Sequence, residues 1–256
     1  MEGPPFLNRP SESRRAYAAP DSAAGAAASV TFTVKRLRQI AEVIKPGRYL
    51  EVGVHAGGTF HALDFAEMDA VDPEFAFDHA DHARAGRRYF EVVSDEFFTN
   101  PPDKKPYDLI FLDGLHTFEQ TFRDFCASQA LAHAGTVWLI DDTGPSDIFS
   151  AIPDQDLAIE LRAAHGSGGP GWNGDVFKTV FALHDFFPNF DYRTIVNQGR
   201  PQTMVIRHPR PDFGPRWNNL ETISRMGYPD YIRHRDVMQD CTLAQALEWL
   251  KQARSA

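Results

Sequence analysis

Between residues 49 and 141 five short apolar runs alternate with amphipathic segments, and this alternation limits the fold more than any other feature. The runs fall at 49–52, 70–72, 89–93, 108–113 and 136–141. One of them, Leu109-Ile110-Phe111-Leu112, is apolar without a break, as a strand covered on both faces must be. Helical spacing is predicted around 59–67, 77–87 and 117–133, the last with Phe118, Phe122, Phe125, Cys126 and Ala130 on one broad face. There the Cys126 thiol reads as a small buried group. Repeated β-α units of this kind predict an α/β fold: a doubly wound, Rossmann-like, mostly parallel sheet with helices on both faces.

Flanking segments complete the plan. Leu37, Ile40, Ala41 and Ile44 give a helix within 30–45, stopped by Pro46-Gly47. A helix at 175–187 precedes two strand-like runs at 192–196 and 203–207. Their connection, 197–202, is too short for a parallel crossover, so a C-terminal antiparallel hairpin is predicted. Residues 1–29, rich in Ala, Pro, Ser and Gly, read as a flexible arm. Residues 30–208 read as one domain, and 209–256, with a last helix at 242–251, as a helical extension packed on it. The Gly- and Pro-rich stretch 143–174, with Trp172, reads as a long loop of the lid or binding kind, in which Asn173 or Asp175 would cap the helix that follows. Lys178 reads as either a substrate-facing or an ordinary solvated lysine.

Charge narrows the function classes. With 26 Lys and Arg against 35 Asp and Glu, a net −9, the chain lacks the basic surface that holds nucleic acid. The cluster Arg84, Arg87, Arg88 reads as a solvated helix end. Two distant cysteines give neither a disulfide framework nor a zinc site. No run has the length or apolarity of a signal sequence or membrane span, so a reducing cytoplasm is the expected compartment.

After the first strand comes Glu51-Val52-Gly53-Val54-His55-Ala56-Gly57-Gly58. Gly53 and Gly57 would let a ligand approach the backbone, and free N–H groups at a following helix start would favour an anion. The order G-x-x-x-G-G is not the dinucleotide fingerprint G-x-G-x-x-G, and Glu51 suits an ammonium better than a pyrophosphate. Asp72 ends the second strand, where a carboxylate can accept ribose hydroxyls, and Ser94-Asp95 ends the third, near an adenine. Each has a plainer structural reading, a tight turn at Gly57-Gly58 and helix caps at Asp72 and Asp95. Their order along successive strand ends favours a bound nucleoside.

The fourth strand ends Asp113-Gly114-Leu115-His116 and the fifth Asp141-Asp142. If these strands are neighbours, about 4.8 Å apart, three carboxylates converge and repel one another. A hard divalent cation such as Mg²⁺ resolves that conflict and lowers the pKa of a coordinated hydroxyl. His116 is placed to remove a hydroxyl proton. The alternatives are an Asx turn at Asp142 and a helix start at Thr117, with a T-x-x-Q box to Gln120.

With these residues in place, the chain resembles class I S-adenosylmethionine-dependent methyltransferases of the macrocin/mycinamicin sugar O-methyltransferase type. The resemblance covers 49–60, 70–73, Ser94-Asp95-Glu96-Phe97-Phe98, 108–120, Arg123-Asp124, Asp141-Asp142 and Trp172-Asn173-Gly174-Asp175-Val176. It implies Mg²⁺-assisted methyl transfer from S-adenosylmethionine to a hydroxyl of a sugar or other natural product. By position it implies Asp113, Asp141 and Asp142 as metal carboxylates and His116 as general base. Glu51, Gly53, Asp72 and Asp95, beside Gly57, Ser94 and Asp113, make the cofactor pocket. The expected partner is a small-molecule hydroxyl acceptor, without nucleic acid or membrane, and a homo-oligomer is compatible with the sequence. A metal-independent N-methyltransferase and a non-catalytic nucleoside-binding protein of the same fold are the alternatives.

Overall fold

A computed structural model describes residues 31–167 and 171–255. The predicted arm at 1–29 lies outside them. In chain order the elements are α1 (Phe32–Ile44), β1 (Arg48–Val52), β2 (Glu67–Asp72), β3 (Arg87–Glu91), α2 (Ser94–Thr99), β4 (Tyr107–Leu112), α3 (Phe118–Ser128) and β5 (Ala132–Ile140). Then follow α4 (Gln155–Ala164), α5 (Phe177–Phe186), β6 (Asp191–Ile195), β7 (Gln202–Ile206), α6 (Leu220–Ser224), α7 (Tyr228–Arg233), β8 (Asp240–Cys241) and α8 (Leu243–Ser255).

The strands form one sheet in the order β3-β2-β1-β4-β5-β7-β6-β8. Among the described residues only β7 runs antiparallel to its neighbours, with its Ile206 opposite Val137 of β5 and Asp191 of β6. The strand order reverses between β1 and β4, and in such sheets ligands bind beyond the carboxyl ends at that point. The mostly parallel sheet and the hairpin are as the sequence predicts.

Alternation along buried strands divides the core into two layers. Ile110, Leu112, Trp138 and Val205 pack against α3, α5, α6 and α7 through Phe125, Phe181, Ile223 and Tyr231. Leu109, Phe111, Val137 and Met204 face the other way, onto Leu37 and Ile40 of α1 and Leu243 and Leu250 of α8. Thr31 begins α1 by accepting from Val34 N (3.2 Å), and Lys45, at φ 52°, ends it before Pro46-Gly47.

Two predicted helices are absent. The segments 59–67 and 77–87 hold single 3₁₀ turns, Phe60–Ala62 and His79–His82. The register of β2 on β1 brings Glu67 opposite Arg48, so the first crossover is 53–66, its first part is taken by the glycine loop, and Phe60 and Leu63 both turn into the core. In the second, Asp78 accepts from Ala80 N (2.9 Å) and forces a tight turn, and the rings of Phe77 and His82 then pack around His61. Arg87 and Arg88 therefore belong to β3, not to a helix end; Arg88 and Arg48 both pair with Asp69 and Asp103. Conversely, the 143–174 loop contains α4. Cys126 is exposed, because the inward stripe of α3 runs through Phe118, Thr121, Phe125 and Ser128 and leaves it a helical step away.

Candidate functional site

The glycine loop is shaped by close backbone contact. Gly53 has φ +88°, and a Cβ there would lie 1.9 Å from the Asp113 carbonyl oxygen, so the end of β4 rests directly on the loop. Gly57, at φ +73°, closes a turn by donating to Val54 O (2.8 Å). Only the 3₁₀ turn follows, so the predicted anion site at an α-helix start does not form.

Glu51 is buried at the end of β1 and accepts from the Tyr49 hydroxyl (2.7 Å). Burial, with the nearby Asp113 and Asp72, pushes its carboxyl up to about 8. Among the described residues it has no cationic partner within salt-bridge distance. Asp72 accepts from His55 N (2.8 Å) on one oxygen and Glu74 N (2.9 Å) on the other, tying the end of β2 to the loop. Each oxygen keeps a second lone pair for a ligand.

Ser94 and Asp95 do not end a strand. β3 stops at Glu91, and both residues open α2, with Val93 as its N-cap. Asp95 is tied to Arg123 (2.7 Å), and Gln120 donates to both Ser94 Oγ (3.1 Å) and Asp124 (3.0 Å). Gln120 N also donates to Thr117 Oγ1 (3.4 Å), so the Thr117 cap exists, while the Gln120 side chain serves the α2 contact. Asp124 is buried, and that burial lifts its carboxyl to about 6 against the hydrogen bonds from Ser94 and Gln120. A carboxyl raised from an unfolded value near 4 favours the folded chain most at low pH, and the benefit is lost as pH rises through 6. Asp124→Asn is therefore expected to gain about 2 kcal/mol relative to the wild type between pH 4 and pH 8, read from urea midpoints at each pH.

Beyond β4 and β5, one ligand atom each from Asp113, His116 and Asp142 come together, all within 4.8 Å of one another. His116 Nε2 lies 3.3 Å from Asp113 Oδ1, and Nδ1 lies 3.0 Å from Asp142 Oδ2 without hydrogen-bond geometry. Asp141 stands outside this set. Asp141 N still bonds Leu112 O (2.9 Å), so it continues the strand, whereas Asp142 turns to φ 55° and swings its carboxylate toward His116. Burial, then Asp113 and Asp142, push the Asp141 carboxyl well up, and burial raises Asp113 too. Burial alone would lower the His116 imidazole, but its contact with Asp113 and the charges around it push it up to about 9.

The wall of this site comes from residues the sequence reading gave other roles. Trp172 stacks on the His116 ring (centroids 5.0 Å, 25°), and Asn173 Nδ2 donates to Asp142 Oδ1 (2.6 Å). Asp175 accepts from Phe118 N (2.7 Å) at the start of α3, while α5 has Val176 at its N-cap and no side-chain cap. Lys178 is buried, paired with Asp175 (2.7 Å) and donating to Ser224 O (2.8 Å), so it is neither solvated nor directed at a substrate. The run Trp172-Asn173-Gly174-Asp175 was the available signal for this wall; Arg200, 3.4 Å from Asp142, carried none.

A family model described as a methyltransferase domain matches residues 50–143, from β1 through the acidic end of β5. Over that span the chain is similar to a methyltransferase domain. The glycine loop and the acidic strand ends both lie inside the matched span. Curated proteins give no match. Among solved structures, the chain is similar to the O-methyltransferase TomG of Streptomyces achromogenes in complex with S-adenosylmethionine, at 15% identity over 69% of this chain and 79% of that one, with a TM-score of 0.47. It is also similar to an O-methyltransferase of Bacillus cereus in complex with S-adenosylhomocysteine, at 16% identity over 72% and 83% of the chains, TM-score 0.44. A third is the MycE methyltransferase of the mycinamycin biosynthetic pathway in complex with Mg and S-adenosylhomocysteine, at 14% identity over 73% and 52%, TM-score 0.47. No helix among the described residues is long and apolar enough to cross a membrane.

Proposed function

We propose that the chain is an S-adenosylmethionine-dependent O-methyltransferase, assisted by a divalent cation such as Mg²⁺ and acting on a hydroxyl of a small molecule, a sugar or other natural product. The observation that carries this reading is the convergence of Asp113, His116 and Asp142 beyond β4 and β5, beside the glycine loop. The donor set suits a cation: the carboxylates of Asp113 and Asp142 offer oxygen atoms within 4.8 Å of each other, beside the His116 ring that is left to act as the base. Glu51 suits the cofactor, since a buried carboxyl without a cationic partner can take up the ammonium of a methionine group.

When bound, S-adenosylmethionine supplies an electrophilic methyl group, and the cation supplies positive charge beside the acceptor oxygen. The rest falls to the chain. Glu51 holds the ammonium, Asp72 offers its spare lone pairs to the ribose, and Ser94 and Asp95 border the adenine side. His116 Nε2 takes the hydroxyl proton, which requires another positive charge to meet Asp113 and Asp142, because an imidazole near 9 is otherwise already protonated at neutral pH. Trp172 fixes the ring plane and covers it from water.

The test is incubation with S-adenosylmethionine and a panel of sugars, phenols and aminoglycosides, with Mg²⁺ or with chelator, read by mass. The expected result is one added methyl on oxygen, lost with chelator and restored by Mg²⁺. Transfer to nitrogen that survives chelation supports the metal-independent alternative, and cofactor binding without transfer supports a non-catalytic role.

A further inference from the structure

The turn between β6 and β7 reaches the acidic cluster while anchored to a helix on one face of the sheet. Arg36 of α1 is 1% exposed, and its guanidinium is spent on this turn. Nη1 donates to Arg200 O (2.6 Å) and Gln202 Oε1 (2.7 Å), and Nη2 to Asn197 O (2.6 Å) and Gln198 O (3.0 Å). Gln202 in turn donates to Thr33 Oγ1 (2.9 Å). A Cβ on Gly199, at φ +109°, would lie 2.7 Å from Phe32 Cβ, so the turn has no room to slide along α1.

What this fixed turn carries to the site is Arg200. Its Nη1 stands 3.4 Å from Asp142 Oδ1 and 3.3 Å from Trp172 O, and its side chain is 54% exposed. Among the described residues, Nε and Nη2 make no hydrogen bond. The contacts are long for hydrogen bonds, so what Arg200 delivers is chiefly positive charge beside the carboxylate that faces His116.

We propose that Arg200 is a built-in counter-ion that competes with the divalent cation for Asp142, and that Arg36 is the positioning residue that keeps it there. The inference rests on the cation reading above and deepens it. Two such carboxylates with no counter-charge nearby would bind a cation tightly and indiscriminately. A guanidinium held at their rim weakens that binding without removing a ligand. Asn173 sharing the same oxygen of Asp142 leaves the other oxygen for the cation.

The probe is Mn²⁺ alone, titrated into the full chain by calorimetry and by the loss of its free-ion EPR signal, at low and at high salt. Arg200→Ala is expected to tighten Mn²⁺ binding about two- to tenfold at low salt, and the gain should shrink at high salt, where exposed charges are screened. Arg200→Lys retains a point charge and should stay near the wild type. Arg36→Met should reproduce part of the tightening when Arg200 is present and none of it in the Arg200→Ala background. Arg200→Ala is a substitution at an exposed side chain, so it decides the matter even if Arg36→Met does not fold. Equal or weaker Mn²⁺ binding by Arg200→Ala overturns the counter-ion role and leaves the cation reading standing. Absence of Mn²⁺ binding in both the wild type and Arg200→Ala overturns both.

Discussion

His116→Asn is expected to slow methyl transfer about 10²–10⁴-fold, the usual effect of losing a positioned acid or base, while cofactor affinity stays within about twofold of the wild type. Asparagine is the informative replacement. His116 sits at φ 49°, where alanine would add backbone strain of its own, and asparagine tolerates that region. The imidazole touches Asp113, Asp142 and Trp172, and none of these contacts reaches Glu51 or Asp72, which face the proposed cofactor side. Single-turnover rates with labelled S-adenosylmethionine, beside binding titrations, separate the two quantities. A rate that survives the substitution removes the imidazole from the chemistry.

The second large effect is expected at Gly174. Its φ is +60°, and a Cβ there would fall 1.6 Å from the His116 carbonyl oxygen. Backbone meets backbone, so no side chain can swing aside. Either 171–176 or 115–117 must move, and with it go the Asn173–Asp142 and Asp175–Phe118 bonds. Gly174→Ala should cost about 3 kcal/mol or more. Gly166 provides the control, since it has φ +69° but nothing within 4 Å of its would-be Cβ. Gly166→Ala should cost about 1 kcal/mol, the left-handed penalty alone. Urea unfolding of the two variants measures the difference, and equal losses would mean that the close approach to His116 is easily relieved.

How much of this was legible in the sequence depended on the kind of pattern. The central strands and the hairpin could be read because their apolar residues are fixed by burial on both faces. The helices expected after β1 and β2 could not be ruled out, because helical spacing over a few residues is also what a 3₁₀ turn with two buried side chains produces, as Phe60 and Leu63 show. α4 was hidden for the opposite reason: among its residues only Ala158 is buried, so no apolar stripe marks it. At the site, spacing indicated that Asp113, His116 and the Asp141-Asp142 pair lie near one another. It could not indicate which of the pair faces His116, because that depends on a single left-handed residue at the strand end. Arg200 and Arg36 lie 164 positions apart, and contacts that distant leave no local periodicity to read.

The two-residue strand β8 has a consequence out of proportion to its size. Without it β6 would present its outer row of N–H and C=O groups to any passing chain, and such open edges recruit further strands. β8 meets Thr194 and Ile195, while Arg193 lies over the Trp249 ring (4.7 Å) on the same flank. At the opposite border, β3 carries Arg87 and Arg88, whose charges discourage strand addition. The segment after β7 thus does for one border what charge does for the other: it keeps a wide, largely apolar sheet from being extended by a neighbour.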